Sequence, residues 1–207
     1  MEDVLEVYRR PYDPRRPVVC FDETSRPLLG QTRPPLLPAP GQAARQDYEY
    51  VRQGTANVFL SFEPLAGWRQ AVVTERRTRH DWAHQIRDLL DGRSAAAEKV
   101  VLVLDNLNTH TPGSLYETFG PVEARRLTEK LEIHHTPKHG SWLNMAEIEF
   151  STLARGLPDR IESRERLQSV LQTWSAQRNS RQIGADWQFR TEDARMRLKR
   201  LYPHNEL

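Results

Sequence analysis

KVVLVLDNLNTH, residues 99–110, runs five consecutive aliphatic residues, Val100 to Leu104, into a polar turn. The run is too short for a typical helix and rich in β-branched valine, so it predicts a buried strand. Asp105 falls where that strand ends, and the strand ends of open α/β sheets are where ligands are usually held. An ionised carboxylate there needs a cation or hydrogen bonds to offset its burial; a turn-capping role for Asp105 is the alternative reading.

Working outward, Pro17–Thr24 (PVVCFDET) reads as a first strand. Its alternation puts Val18, Cys20 and Asp22 on one face and Val19, Phe21 and Glu23 on the other, so Asp22 and Glu23 are not expected to serve one site. Ser25–Gly54 has no periodicity and carries Pro27, Pro34, Pro35, Pro38 and Pro40, which predicts a long exposed loop. Thr55–Phe62 and Trp68–Thr74 read as two further strands joined by a hairpin-length connection. His80–Leu90 has helical spacing with Gly92 as its stop. Three strands, a helix and the Lys99–Asp105 strand bring the last strand beside the first if the crossover is right-handed.

Beyond it, Ser114–Lys130 reads as helix broken at Gly120–Pro121, and Leu131–Thr136 as a fifth strand. A helix with Ser141 as N-cap then places Leu143, Ala146, Phe150, Leu153 and Leu157 on one face. Ser163–Asn179 is amphipathic, and Thr191–Leu201 is a basic helix. Met1–Tyr8 forms a short helix within a leader, residues 1–16. Residues 17–160 make the core, and 161–207 a C-terminal helical extension of the same domain. The fold class is α/β: a five-stranded mixed sheet flanked by helices, with extra C-terminal helices.

The 207 residues suit one domain with a real core, and no apolar run approaches the roughly 20 residues that a membrane helix needs. No secretory signal is visible, and the single cysteine, Cys20, excludes an intramolecular disulfide and points to a reducing cytosol. Net charge is only +2, so a nucleic-acid surface has to be local. The cations are mostly arginine, which favours bidentate phosphate contacts; Lys99, Lys130, Lys138 and Lys199 are the only lysines.

Asp22 and Asp105, on neighbouring parallel strands, come together, and converging carboxylates without a basic partner call for a divalent cation. Oxygen-only ligation favours Mg2+ or Mn2+ over Zn2+. At about 100° per residue, Glu147 and Glu149 lie on opposite flanks of the apolar helix face, so periodicity leaves open which of them joins the two aspartates. His134, His135 and His139 do not make a zinc site, because the first two alternate faces of a strand and no cysteine lies near.

VVCFDET, VVLVLDNLNTH, HTPKHGSWLNMAEIEFS and the tail DWQFRTEDARMRLKRLYP resemble the catalytic domain of insertion sequence 630 family transposases, relatives of the mariner elements with an RNase H-like DDE fold. The resemblance implies that Asp22, Asp105 and Glu147 are the catalytic residues and metal ligands. They would hold Mg2+ or Mn2+, two ions in all, with Asn106 and His110 supporting the site by orienting it or contacting the scissile phosphate. It implies cleavage of double-stranded DNA at transposon ends and attack of the freed 3′-hydroxyl on target DNA, favouring a TA dinucleotide. Lys138, Ser141, Trp142 and Asn144 before the catalytic helix, and Arg195, Arg197 and Lys199 on the basic helix, are the expected DNA contacts. Homodimers or larger assemblies are expected, in a bacterial cytoplasm at the nucleoid, with no membrane partner. Met145 and Ala146 depart from the usual Pro-Ile before the glutamate, which keeps Glu149 open as the third ligand. Family members carry an N-terminal helix-turn-helix region and only about twenty residues precede Asp22, so element-end binding is not expected of this chain by itself; half of a split reading frame with a separate helix-turn-helix polypeptide as partner, a fragment and a remnant are the alternatives. A plain RNase H-like nuclease without strand transfer, or an inactive DNA-binding remnant, are the rival readings.

Overall fold

Val100–Leu104 is a strand in the computed structural model, which describes residues 1–33, 38–43 and 48–202. It is β4 in a sheet with β1 (Val18–Gln31), β2 (Tyr50–Glu63), β3 (Trp68–Thr74) and β5 (Leu131–His135). The order is β3-β2-β1-β4-β5. β1, β2 and β3 form an antiparallel meander, and β4 and β5 run parallel to β1. The mixed, five-stranded expectation thus holds for the described residues.

Strand alternation gives the sheet two apolar faces. Cys20, Leu60, Phe62, Val101 and Val103 face a cluster completed by α1 (Glu2–Tyr8), α5 (Ala146–Gly156), α6 (Arg164–Ser180) and α7 (Thr191–Arg197). Val19, Phe21, Phe59, Leu102 and Leu104 face α2 (Arg79–Asp91), α3 (Pro112–Thr118) and α4 (Pro121–Glu129). α2 starts where Thr78 and Asp81 form a reciprocal capping box and stops at Gly92.

Three expectations need correction. Ser25–Gln31 and Tyr50–Gly54, expected as loop, are paired strand, with a register shift between Pro27 and Leu29. Most of these positions are exposed, so no buried-face alternation marks them in the sequence. Pro34 and Pro35 of that expected loop lie outside the described residues.

The helix after β5 starts at Ala146, after a 3-10 turn at Ser141–Leu143, and Ser141 does not cap it. The N-cap is Met145, and Asn144 one residue before it accepts the Ala146 N–H on its Oδ1 at 3.1 Å. The basic helix ends at Arg197, with a 3-10 turn at Lys199–Leu201.

The N-terminal segment packs into the domain. Val4, Leu5, Val7 and Tyr8 of α1 are buried in the first cluster, and Arg195 of α7 pairs with Glu2. Among the described residues no helix is long and apolar enough to cross a membrane.

Candidate active site

β1 and β4 pair as Val18↔Val101, Val19↔Leu102 and Cys20↔Val103. Continuing that register two residues sets Asp22, within β1, opposite Asp105, just past the carboxyl end of β4. Asp22 is only 7% exposed, and its Oδ1 accepts the Glu23 N–H at 2.8 Å. Glu147 stands half-buried in the first turn of α5. That turn is fastened to β1 by Asn144, whose Nδ2 donates to the Phe21 carbonyl at 2.8 Å. Tyr8 adds a second fastening from α1, donating its hydroxyl to the Leu143 carbonyl at 2.7 Å.

Burial pushes the Asp22 carboxyl up to about 7; the Glu23 N–H pulls against this, and the charges of Glu147 and Asp105 push with it. As they stand, no three His, Cys, Asp or Glu side chains among the described residues are grouped tightly enough to hold a metal ion.

Asp105 Oδ1 lies 2.6 Å from His110 Nδ1, and His110 Nε2 lies 2.9 Å from Glu23 Oε2. Neither ring nitrogen is aligned as a hydrogen-bond donor, and both contacts are ion pairs by distance. Burial disfavours the charged ring, but Asp105 and Glu23 outweigh it and lift His110 to about 9. The ring is wholly buried, stacked on Trp82 at 5.7 Å and met edge-on by Phe21 at 6.2 Å. His110 therefore cannot reach a scissile phosphate, and of its two expected roles only orientation of Asp105 is open to it.

Glu149 lies on the other flank of α5, buried between Arg69 Nε at 2.8 Å and Arg178, which donates from Nη2 at 2.8 Å and Nε at 3.1 Å. Both of its oxygens are taken. The two glutamates that periodicity left equivalent are thus separated by partners from β3 and α6.

Lys138 and Ser141 are exposed and line one open groove with Asp105 and Asn106. The turn that carries them is tight, with His139 at φ 62° and no room for a Cβ at Gly140, where it would meet Pro137 Cγ at 2.6 Å. Trp142 is 43% exposed and belongs to an aromatic row, stacked on Trp187 at 6.4 Å with Phe189 edge-on at 6.1 Å. Asn144, expected among the DNA contacts, is wholly buried, with its amide bonded to Phe21 and Ala146. Arg195 is occupied by Glu2, whereas Arg197 and Lys199 are exposed. Sequence reasoning missed Glu23, whose partner His110 arrives from a distant loop, and Arg69, whose presence in the otherwise apolar run around Ala71 and Val72 was the available signal.

This strand order, with one acid within β1, a second just past the end of β4 and a third on the helix after β5, is that of an RNase H-like domain. The chain belongs to the family described as DDE superfamily endonuclease, which matches residues 17–168. No curated protein matches it. Among solved structures it is similar to the Mos1 transposase paired-end complex with left transposon end, at 19% identity and TM-score 0.58, covering 88% of this chain and 56% of that one. It is also similar to the Mos1 mariner paired-end complex with Mn, at 20% identity and TM-score 0.57, covering 88% and 55%. The Mos1 strand transfer complex matches at 19% and 0.56. The chain thus spans about 55% of the length of these transposases.

Proposed function

We propose that this chain is the catalytic domain of a DDE transposase, cutting double-stranded DNA at transposon ends and joining the freed 3′-hydroxyl to target DNA. The observation that carries the reading is the geometry: the β1–β4 register sets Asp22 beside Asp105, and Asn144 fastens to β1 the start of the helix that carries Glu147. The residues fit a hard divalent cation on their chemistry: oxygen donors only, an excess of negative charge, and a half-exposed Glu147 able to turn toward the aspartates. Asp22, Asp105 and Glu147 would hold Mg2+ or Mn2+, and such ions, when bound, supply nucleophile activation and leaving-oxygen stabilisation for in-line displacement at phosphorus. Glu149 is set aside as a ligand because Arg69 and Arg178 already neutralise it.

The chain's own residues do the positioning. Asn144 and Tyr8 hold the start of α5 against β1, so that Glu147 stays beside Asp22. Lys138 and Ser141 face the groove beside Asp105, where a phosphate backbone would run, and Trp142 offers an exposed ring edge beside them.

The test is Mn2+-dependent nicking of supercoiled plasmid by the purified chain. Asp22→Ala, Asp105→Ala and Glu147→Ala should each lower nicking by at least about 100-fold while DNA binding persists. A second assay joins a pre-cleaved transposon-end oligonucleotide to plasmid. Nicking without any joined product would reduce the reading to a nuclease, and metal-independent DNA binding without nicking would leave only a DNA-binding remnant.

A further inference from the structure

We infer that Glu23 is a positioning residue for Asp105, acting through the ring of His110. This rests on the proposed reading of Asp105 as a metal ligand. Glu23 follows Asp22 directly, yet its side chain leaves the sheet on the opposite face and is 3% exposed. On that face it meets His110 Nε2 at 2.9 Å, while the other ring nitrogen reaches round the end of β4 to Asp105 Oδ1 at 2.6 Å. One imidazole thus joins the two faces of the sheet at the strand ends.

Trp82 and Phe21 fix the plane of the ring, and the contact of Nε2 with Glu23 fixes how the ring sits within that plane. Glu23 therefore sets where Nδ1 meets Asp105. The ring itself has no freedom to turn, since Trp82 covers one of its faces and Phe21 meets it edge-on, both fully buried. Asp105, at 27% exposure, is held from the buried side by Oδ1, which leaves the rest of its carboxylate directed to the groove shared with Asn106 and Lys138. Among the described residues no arginine or lysine pairs with Glu23, and His110 is its charge partner. Partners one step behind a ligand typically set its orientation and change metal affinity about 10–100-fold when removed.

The experiment is a Mn2+ titration of the full chain followed by electron paramagnetic resonance of free Mn2+, with thermal melting to verify folding. Glu23→Gln should weaken Mn2+ binding about 10-fold, and His110→Gln at least as much. The double variant should bind no more weakly than His110→Gln alone, because the influence of Glu23 passes through the ring. Should Glu23→Gln fail to fold, Glu23→Asp keeps the charge and should bind Mn2+ between wild type and His110→Gln. Additive losses in the double variant, or wild-type Mn2+ affinity in a folded Glu23→Gln, would overturn the inference. If wild type takes up no Mn2+, or Asp105→Asn leaves uptake unchanged, the metal reading fails and the positioning role goes with it.

Discussion

Asp22 is a residue whose environment works against its own charge. Its carboxyl stands near 7 in the folded chain against about 3.9 when unfolded. The folded state then binds more protons than the unfolded state between those values, so metal-free stability is full below about pH 4 and falls as pH rises toward 7. Asp22→Asn removes that loss. The variant should melt with wild type at pH 4 but roughly 5 °C higher at pH 8, for an effect on the order of 2–4 kcal/mol. Equal melting at pH 8 would mean that Asp22 is better solvated than its 7% exposure implies. The two aspartates were legible in the sequence because strand ends and alternation are local signals. The choice between Glu147 and Glu149 was not, since Arg69 and Arg178, which occupy Glu149, come from elements far away along the chain. For the same reason Glu23 looked irrelevant until His110 was seen beside it.

At the scale of elements, β3 is an edge strand whose outer backbone would ordinarily invite pairing with another chain. α6 closes that edge with two side-chain amides. Gln168 accepts the Val73 N–H at 2.7 Å and donates to the Ala71 carbonyl at 3.3 Å; Asn179 accepts the Arg69 N–H and donates to its carbonyl, both at 2.8 Å. Three helical turns separate the two amides, about 16 Å, close to the roughly 13 Å that Arg69 to Val73 spans in β3. Gln168→Ala with Asn179→Ala strips four backbone groups of their partners, at about 1 kcal/mol or more each. The double variant should melt well below wild type and form concentration-dependent oligomers on size exclusion, whereas exposed Gln172→Ala should do neither. Monomeric behaviour of the double variant would show that the edge is protected by something else. β3 and α6 were both readable in the sequence, to the residue for β3 and within one for α6, because apolar periodicity marks them. Their amide-to-backbone register was not readable, since nothing local ties Gln168 to Val73. The outer halves of β1 and β2 escaped notice for a related reason: they are exposed, and exposed strands lose the alternation by which strands are recognised.

For the whole molecule, the chain's two described ends meet on the face of the sheet that carries α5. α1 packs beside α7 through Glu2–Arg195 and Glu6–Thr191, and Tyr8 extends an aromatic row through Trp187 to Trp142 while its hydroxyl holds Leu143. The fold and the candidate site therefore depend on the same short helix. Val4, Leu5, Val7 and Tyr8 are buried, and at about 1.5–3 kcal/mol for each large apolar side chain their removal forfeits roughly 6–12 kcal/mol. That equals the whole stability of an ordinary domain, about 5–15 kcal/mol. Deleting residues 1–16 should abolish the cooperative melt at 25 °C and above, read by near-ultraviolet circular dichroism. Tyr8→Phe, which keeps the ring and loses only the hydroxyl, should fold with a loss near 1 kcal/mol. If Leu143 sets where α5 begins, the same variant should nick DNA more slowly than that small loss accounts for, because Glu147 is the second residue of that helix. A truncated chain that melts within a few degrees of wild type would instead make α1 an accessory, and the placement of Glu147 would then rest on Asn144 alone.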